Sequence, residues 1–378
     1  MSDRQVSFIR SCFRREWSAI GAKMRYRLIL AMKRGEFIFQ KHTQEFEERL
    51  AKFVGVKHAV AVNSGTGALF LSLKAAGIGP GDEIIVPSHT YIASINVIVH
   101  CGATPVLVDV RTEDHLMALD QVEMAINART RAIMPVHLNG RVCDMTRLMA
   151  LANSHGLRVF EDAAQALGAK HAGQMAGSFG ATGSFSFYPA KLLGSYGELG
   201  AVTTNDDELA RKIQYLRSHG ELASYLRPAG PRQIYDFGYG MLPDNLQCAV
   251  INVKLDYLPD WIRRRRAIAK RYDVNLRGQV PLWLPPRGAG DVFQNYVIRS
   301  RVRDDLQYFL QKNGVETLIS WPVPNHLQGG LTALSGYSLP GTEQLSREVL
   351  SLPCNHMLRD EEVDLVCDTI KRFYGARG

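Results

Sequence analysis

Residues 183–200 read Gly-Ser-Phe-Ser-Phe-Tyr-Pro-Ala-Lys-Leu-Leu-Gly-Ser-Tyr-Gly-Glu-Leu-Gly. The stretch opens with an apolar run at 183–187, and a second apolar run begins at its end, over 200–203. Short apolar runs bounded by turn residues are typical of buried strands. The segment between the runs is rich in Gly and Ser and carries Lys191. We therefore expect two strands joined by a loop that presents Lys191.

The same kind of apolar run recurs on the N-terminal side of this stretch. Residues 1–54 have the pattern of two helices joined by a turn, and helical stretches such as 68–76 and 145–155 separate the runs that follow. Strand–helix alternation predicts an α/β fold with a mainly parallel sheet covered by helices. The seven expected strands are 58–62, 83–86, 105–108, 132–136, 158–160, 183–187 and 200–203.

The character of the chain changes after about residue 250, where strands and helices become fewer. The chain has 378 residues, which is long for one compact core. We expect a large domain over 1–250 and a small C-terminal α/β domain over 251–378. The elements expected in the small domain are helices at 261–272, 303–313 and 360–374, and strands at 294–299 and 315–319.

Composition narrows the classes of function. The formal charge of +8 fits an anionic small-molecule substrate or a basic surface without a partner. The dense basic run 263–266 has a helical pattern and is interpreted as a solvated helix face, so we expect no nucleic-acid partner. Six scattered cysteines without a CxxC pair argue against metal sites and disulfides. We expect no signal peptide and no membrane span, hence a cytoplasmic protein.

Small and hydroxyl residues follow two of the expected strands. Residues 63–68 read Asn-Ser-Gly-Thr-Gly-Ala, leave the first strand and open a helix. Free backbone N–H groups at a helix N-terminus bind anions, so Gly65 and Thr66 are candidates for holding a phosphate. Ser186, at the end of a later strand, is a third candidate. The alternative is a plain strand-to-helix turn with a Ser or Thr N-cap.

Three further candidates lie after other strands, where ligands bind in open α/β sheets. Tyr91 has the flat ring needed to stack on a heteroaromatic ligand, although a single tyrosine is more often a core or interface residue. A carboxylate at Asp162 would keep a pyridine nitrogen protonated, and the alternative is a helix N-cap. Gln165 either bonds a ring hydroxyl or completes a capping box with Asp162. With Lys191 as the amine for a Schiff base, this set indicates pyridoxal 5′-phosphate (PLP) and no metal.

With these motifs, the sequence resembles the DegT-type sugar aminotransferases, a branch of the fold type I PLP enzymes. The resemblance covers nearly the whole chain, and it is specific in combination although each motif is short. The matching segments are 35–38, 46–56, 64–66, 79–83, 102–105, 161–165, 183–200 and 350–353.

The resemblance implies a role for each candidate. It makes Lys191 the Schiff-base lysine and catalytic residue, Asp162 the partner of the pyridine nitrogen, and Gln165 a contact of the ring hydroxyl. It gives Tyr91 the stacking role and assigns the phosphate to Gly65, Thr66 and Ser186. His326 resembles a sugar-binding position, with a structural loop histidine as the alternative.

The resemblance also implies the reaction. It predicts amino transfer from L-glutamate to a keto group of a nucleotide-linked deoxysugar, with dTDP and C-3 slightly favoured over C-4, in a homodimer with shared active sites. Related sugar dehydratases carry a His in the lysine position or an iron–sulfur cluster, whereas this chain has Lys191. A non-catalytic PLP-binding regulatory protein is the other alternative.

One segment departs from the family pattern. Family members usually carry Gly-Tyr-Asn-x-Arg, whose Asn and Arg reach the phosphate region of the neighbouring subunit. Here the segment reads Gly238-Tyr-Gly-Met-Leu242, and neither Gly240 nor Leu242 supplies those contacts.

Overall fold

The structure is a computed structural model that describes residues 6–7, 10–222 and 231–376. In these residues the helices are α1 Arg10–Lys33, α2 Lys41–Val54, α3 Gly65–Ala75, α4 Ala93–His100, α5 Leu119–Ala125, α6 Met145–Ser154, α7 Asp207–Leu216, α8 Asn245–Leu255, α9 Leu258–Leu276, α10 Arg303–Lys312, α11 Pro340–Glu348 and α12 Asp360–Gly375. The strands are β1 His58–Val62, β2 Glu83–Pro87, β3 Thr104–Val108, β4 Thr130–Ile133, β5 Arg158–Asp162, β6 Lys170–His171, β7 Gln174–Met175, β8 Thr182–Ser186, β9 Gly200–Thr204, β10 Tyr296–Arg299 and β11 Val349–Leu352.

The central sheet contains all seven expected strands, in the order β1-β9-β8-β5-β4-β2-β3. β9 is antiparallel to its neighbours β1 and β8, whereas the remaining pairs are parallel. The expected mainly parallel sheet is therefore confirmed. Because β9 reverses direction, the loop from β8 to β9 lies at the edge where β1, β2 and β5 end.

Both faces of the sheet are covered. In β2, Ile85 packs into one core, while Ile84 and Val86 pack into another on the opposite face. This follows from the two-residue repeat of a strand. Helices α2, α6 and α8 contribute to the first core, and α3 and α4 to the second. The sheet is thus rigid at the place where its strand ends support a site.

The C-terminal part has a core of its own, formed by β10, β11, α9, α10 and α12. The expected strand at 315–319 is wrong, because Val315 bridges to Val6 whereas Leu318 bridges to Ser351. The strand β11, which pairs antiparallel with β10, was not expected. The domain division at residue 250 stays a prediction. Since Ile262 of α9 belongs to the first core and Ile268 to the C-terminal core, we propose a boundary inside α9.

No helix in the described part of the chain is long and apolar enough to span a bilayer.

Candidate functional site

A cavity of about 580 Å³ opens at the edge of the sheet where β1, β5 and β8 end. All seven residues expected to bind the cofactor line it, namely Gly65, Thr66, Tyr91, Asp162, Gln165, Ser186 and Lys191. They follow different strands of one sheet, and the pairing register of those strands brings them together. In the register, Val62 and Ser186 both pair with Gly200, and Asp162 pairs with Ser184.

The N-terminus of α3 forms one wall of the cavity. Ser64 is its N-cap, with Oγ accepting a hydrogen bond from Gly67 N at 3.0 Å. Gly65 packs so closely on β8 that a Cβ there would lie 2.7 Å from Ser186 Cβ. The start of α3 is thus packed directly against Ser186. Both the capping interpretation and the anion-cradle interpretation describe this turn.

Asp162 is the last residue of β5 and is buried. Its Oδ2 accepts a hydrogen bond from Ser94 Oγ at 2.7 Å, and its Oδ1 accepts one from Ala164 N at 3.1 Å. No helix follows, so the helix-cap and capping-box alternatives for Asp162 and Gln165 are wrong. The two bonds fix the carboxylate on the cavity wall.

Lys191 lies in the loop between β8 and β9, where its backbone N donates to Tyr188 O at 2.8 Å. Burial lowers the pKa of Lys191, and the nearby Asp162 carboxylate opposes this only in part. A lysine with a lowered pKa more readily presents a neutral, nucleophilic Nζ. Lys191 therefore differs from an ordinary solvated surface lysine.

A sequence model of the DegT/DnrJ/EryC1/StrS aminotransferase family matches residues 19–371. The chain belongs to this family. It is 38% identical over 350 residues to a pleiotropic regulatory protein of Geobacillus stearothermophilus, covering 91% of this chain and 92% of that protein.

Two relatives carry names of enzymes. A UDP-N-acetyl-3-dehydro-alpha-D-glucosamine 3-aminotransferase of Acidithiobacillus ferrooxidans is 40% identical over 338 residues, 89% of each chain. A dTDP-3-amino-3,4,6-trideoxy-alpha-D-glucose transaminase of Streptomyces venezuelae is 41% identical over 346 residues, 90% of this chain and 89% of that one.

Solved structures agree. DesV of S. venezuelae, in complex with a ketimine intermediate, has a TM-score of 0.92 at 36% identity and covers 98% of both chains. NtdA of Bacillus subtilis, with bound cofactor PMP, has a TM-score of 0.90 at 27% identity over 99% of this chain and 86% of that one. The fold is that of the fold type I PLP aminotransferases, and the protein is a PLP-dependent aminotransferase.

The cavity of this family member fits PLP. It offers an amine of lowered pKa at Lys191, a buried carboxylate at Asp162 and a close-packed helix N-terminus at Gly65. Gln165 Oε1 accepts a hydrogen bond from Asn139 N at 2.8 Å, which leaves its amide N–H groups to serve as donors. Tyr91, 61% exposed, stands at the rim and not in the core.

His326 is not brought to the lining of this cavity. It is buried, with Nδ1 2.9 Å from Ser88 Oγ and Nε2 3.4 Å from Glu343 Oε1. Its neighbour Asn325 donates to the backbone oxygens of Ser88 and Thr90, both at 2.9 Å. The pair supports the turn that precedes Tyr91. A sugar contact at His326 stays a prediction.

The lining residues that sequence reasoning did not assign to the site include Glu198, Gln294, Asn295 and Trp321. Gln294 and Asn295 precede β10, far along the chain from the other site residues. Trp321 has a φ of +52° and lies edge-on to His89 with ring centroids 5.2 Å apart. A bulky residue rarely adopts a positive φ, so this conformation marks Trp321 as unusual, but backbone angles cannot be read from a sequence.

Gly240 and Leu242 do not line the cavity. Their segment pairs with residues 217–219, through His219 N to Tyr239 O at 3.0 Å and Met241 N to Arg217 O at 2.9 Å. Gly240 is exposed, and a Cβ there would lie 3.1 Å from His219 Cε1. Of the two substituted family positions, Gly240 thus lies at the surface of this chain and Leu242 is half-buried.

One buried group has the composition of a metal site, with ligand atoms of Cys12, Glu16 and His356 within 4.8 Å of one another. However, Lys254 Nζ lies 2.5 Å from Glu16 Oε1, and burial raises the pKa of the Cys12 thiol to about 11 despite the nearby Arg265. An ammonium ion therefore already neutralises the carboxylate, and the thiol favours its protonated form. We assign no metal to this group.

Proposed function

We propose that this protein transfers an amino group from L-glutamate to a keto group of a nucleotide-linked deoxysugar, at C-3 in preference to C-4. The observation that carries the proposal is the meeting of Lys191, Asp162 and the α3 N-terminus in one cavity. The names of the S. venezuelae and A. ferrooxidans relatives support a 3-keto sugar on dTDP or UDP, and we favour dTDP.

Each lining residue has a proposed role. The N–H groups of Gly65 and Thr66, with Ser186 Oγ, hold the phosphate of PLP at the positive end of α3. Asp162 holds the pyridine nitrogen protonated, and the hydrogen bonds from Ser94 and Ala164 orient its carboxylate for this contact.

Gln165 donates to the ring hydroxyl, and Tyr91 covers the ring from the rim. When bound, PLP supplies an electron sink that stabilises negative charge on a substrate carbon. Lys191 Nζ anchors the cofactor and then takes and returns the proton of that carbon. Burial favours the neutral amine needed for both tasks.

The proposal includes a homodimer whose active sites are shared. Phe37 and Ile38 are exposed apolar residues beside α8, because Asn245 N donates to Phe37 O at 2.9 Å. Phe237, which is 96% exposed, lies in the segment that includes Gly240. Exposed apolar side chains near a site indicate an interface. Light scattering should give twice the chain mass, and Ile38→Glu should shift the protein toward monomer.

Lys191→Ala tests the proposed activity. We expect transamination to fall by at least about 10²–10⁴-fold, the range lost with a general acid–base group. The exposed Lys270→Ala is the matched control and should retain wild-type turnover. Full activity in Lys191→Ala would refute the assignment.

A second candidate function, in addition to amino transfer, is regulation, which the name of the G. stearothermophilus relative favours. Spectra test the amino transfer. An aminotransferase loaded with PLP changes its visible absorbance when glutamate is added, and an amino-sugar nucleotide drives the same change in the reverse half-reaction. Absence of any change with glutamate would contradict the proposed amino donor. Testing dTDP- and UDP-linked 3-amino and 4-amino sugars then identifies the acceptor.

A further inference from the structure

The backbone on both sides of Lys191 is held by one side chain. Leu192 N donates a hydrogen bond to Gln294 Oε1 at 2.6 Å, and Gln294 Nε2 donates to Ala190 O at 2.9 Å. The amide thus bonds the residue before the lysine and the residue after it. Such a two-point contact restricts the rotation of the Lys191 backbone between them.

Gln294 is itself held firmly. Arg265 Nη1 donates to the backbone oxygens of Phe293 and Gln294, both at 2.9 Å. Phe293 has a φ of +53°, a conformation that L-residues rarely adopt without support. Gly140 approaches so closely that a Cβ there would lie 2.5 Å from Gln294 N. The side chain is buried, so its amide is fixed before any ligand arrives.

Gln294 lines two cavities. One is the large cavity, and the other is a cavity of about 40 Å³ that Lys191, Lys254 and Arg265 also line. A loosened loop would let the Lys191 side chain leave its buried position near Asp162. Catalytic groups must be held within a fraction of an ångström of their working geometry.

We propose that Gln294 is a positioning residue that directs Lys191 into the large cavity by bonding the backbone at Ala190 and Leu192. The inference rests on the function proposed for Lys191. It also links the C-terminal part of the chain to the reacting lysine, because Gln294 directly precedes the strand β10.

The same loop offers a matched comparison. Gln247 Oε1 accepts a hydrogen bond from Tyr196 N at 2.9 Å, so another glutamine holds this loop by one bond beyond the lysine. Gln294→Met keeps the length of the side chain and removes both bonds. Gln294→Asn keeps an amide that is one methylene too short to reach both partners. Gln247→Met removes a single distant bond.

Hydrogen exchange in the full chain without cofactor is the first measurement. In Gln294→Met we expect exchange in the peptide around Leu192 to quicken at least about tenfold, because a native hydrogen bond is lost locally. Gln294→Asn should show a smaller change in the same direction. Gln247→Met should affect residue 196 and leave Leu192 protected.

The pH dependence of Lys191 labelling by acetic anhydride, read by mass spectrometry, is the second measurement. Burial lowers the pKa of Lys191, so a loop that releases the side chain to solvent should move the labelling midpoint upward. With PLP saturating, kcat should fall roughly 10–100-fold while the KM for the sugar nucleotide stays within about twofold.

The outcomes separate the two proposals. Wild-type exchange and an unchanged labelling midpoint in folded Gln294→Met would overturn the positioning role, as would equal effects from Gln247→Met. If Gln294→Met yields no folded protein, Gln294→Asn decides by the same two readouts. Both are made without PLP or substrate, so they remain valid even if Lys191→Ala keeps its activity and the proposed function fails.

Discussion

The loop that carries Lys191 and the segment that carries Gly240 differ in how the rest of the chain holds them. Three side chains from distant parts of the chain bond the backbone of the loop: Gln294, which precedes β10, and Gln247 and Lys254, which both lie in α8. The segment around Gly240 is held through backbone groups, by residues 216–219 and by Asn63 N, and Gly240 itself is exposed. The loop that carries Lys191 is thus held by side chains of its own subunit. The segment that carries Gly240 has the exposed surface expected of a contact with another subunit.

Among these predictions, the largest loss of turnover is expected at Asp162, in the cavity that Lys191 lines. Asp162→Asn removes the charge but keeps the shape of the side chain, so folding should be preserved while turnover falls by about 10²–10³-fold, as for other preorganised electrostatic groups. Steady-state kinetics with saturating PLP measure this. Ser94→Ala, which removes only one bond to the carboxylate, should have a smaller effect. If both variants lost turnover equally, the hydrogen bond from Ser94 and not the charge of Asp162 would account for the effect.

The close packing at Gly65 gives the next effect. In Gly65→Ala the new methyl group would lie 2.7 Å from Ser186 Cβ and 3.2 Å from its Cα, so the helix N-terminus must move away from β8. We expect PLP affinity to fall roughly 10–100-fold, as a few phosphate hydrogen bonds are weakened. Equilibrium titration of absorbance measures it. Gly329→Ala, where no atom lies within 4 Å, is the control.

The strand that ends in Asp162 also has a buried support that responds to pH. Burial alone lowers the pKa of His137, but hydrogen bonds to Cys143 and Glu161 outweigh it and raise the pKa to about 10. Because this value exceeds that of the unfolded chain, the stabilisation is complete below about pH 6.5 and is lost as pH rises toward 10.

Urea unfolding measures this pH dependence. Wild-type stability should fall by about 1–3 kcal/mol between pH 7 and 10, an order-of-magnitude figure for a buried pair. His137→Gln should be less stable at pH 7 and show a flatter profile. A profile that is identical in the two proteins would refute the ionised state of His137.

For the segment around Gly240 we expect a modest gain in PLP affinity. The double substitution Gly240→Asn and Leu242→Arg restores the polar groups usual in the family. A Cβ at 240 meets only the exposed side chain of His219, so it should be tolerated. If a partner subunit brings this segment to the phosphate, PLP affinity should rise by roughly tenfold or less. The same substitution in an Ile38→Glu monomer should have no effect on affinity, and a gain there would refute the shared site.

The smallest effect is expected for His326→Gln. Because His326 is buried against Ser88 and Glu343, the variant should lose about 1 kcal/mol of stability and keep the KM of the sugar nucleotide within about twofold. Thermal unfolding and initial rates measure the two quantities. A several-fold rise in KM would instead support the sugar contact that the family resemblance implies.

Local pattern was enough to find the strands and the residues that follow them. Runs such as 59–62 and 84–86 are buried on both faces, so continuous apolar sequence marks them. The ends of parallel strands share one edge, and this made Asp162 and Lys191 neighbours before any distance was known. The segment 315–319 failed, because its Val315 and Leu318 pair with different parts of the chain and periodicity does not show which partner is near.

By itself, the sequence determined the family, the mainly parallel sheet and the seven residues of the cavity, because short-range patterning and strand order suffice for those. Only the tertiary structure decided that Gln294 holds the backbone on either side of Lys191, that His326 lies outside the cavity lining, and that Gly240 is at the surface. The first two depend on contacts between residues about a hundred or more positions apart. Such contacts arise from the packing of whole elements, and the local sequence pattern does not predict them.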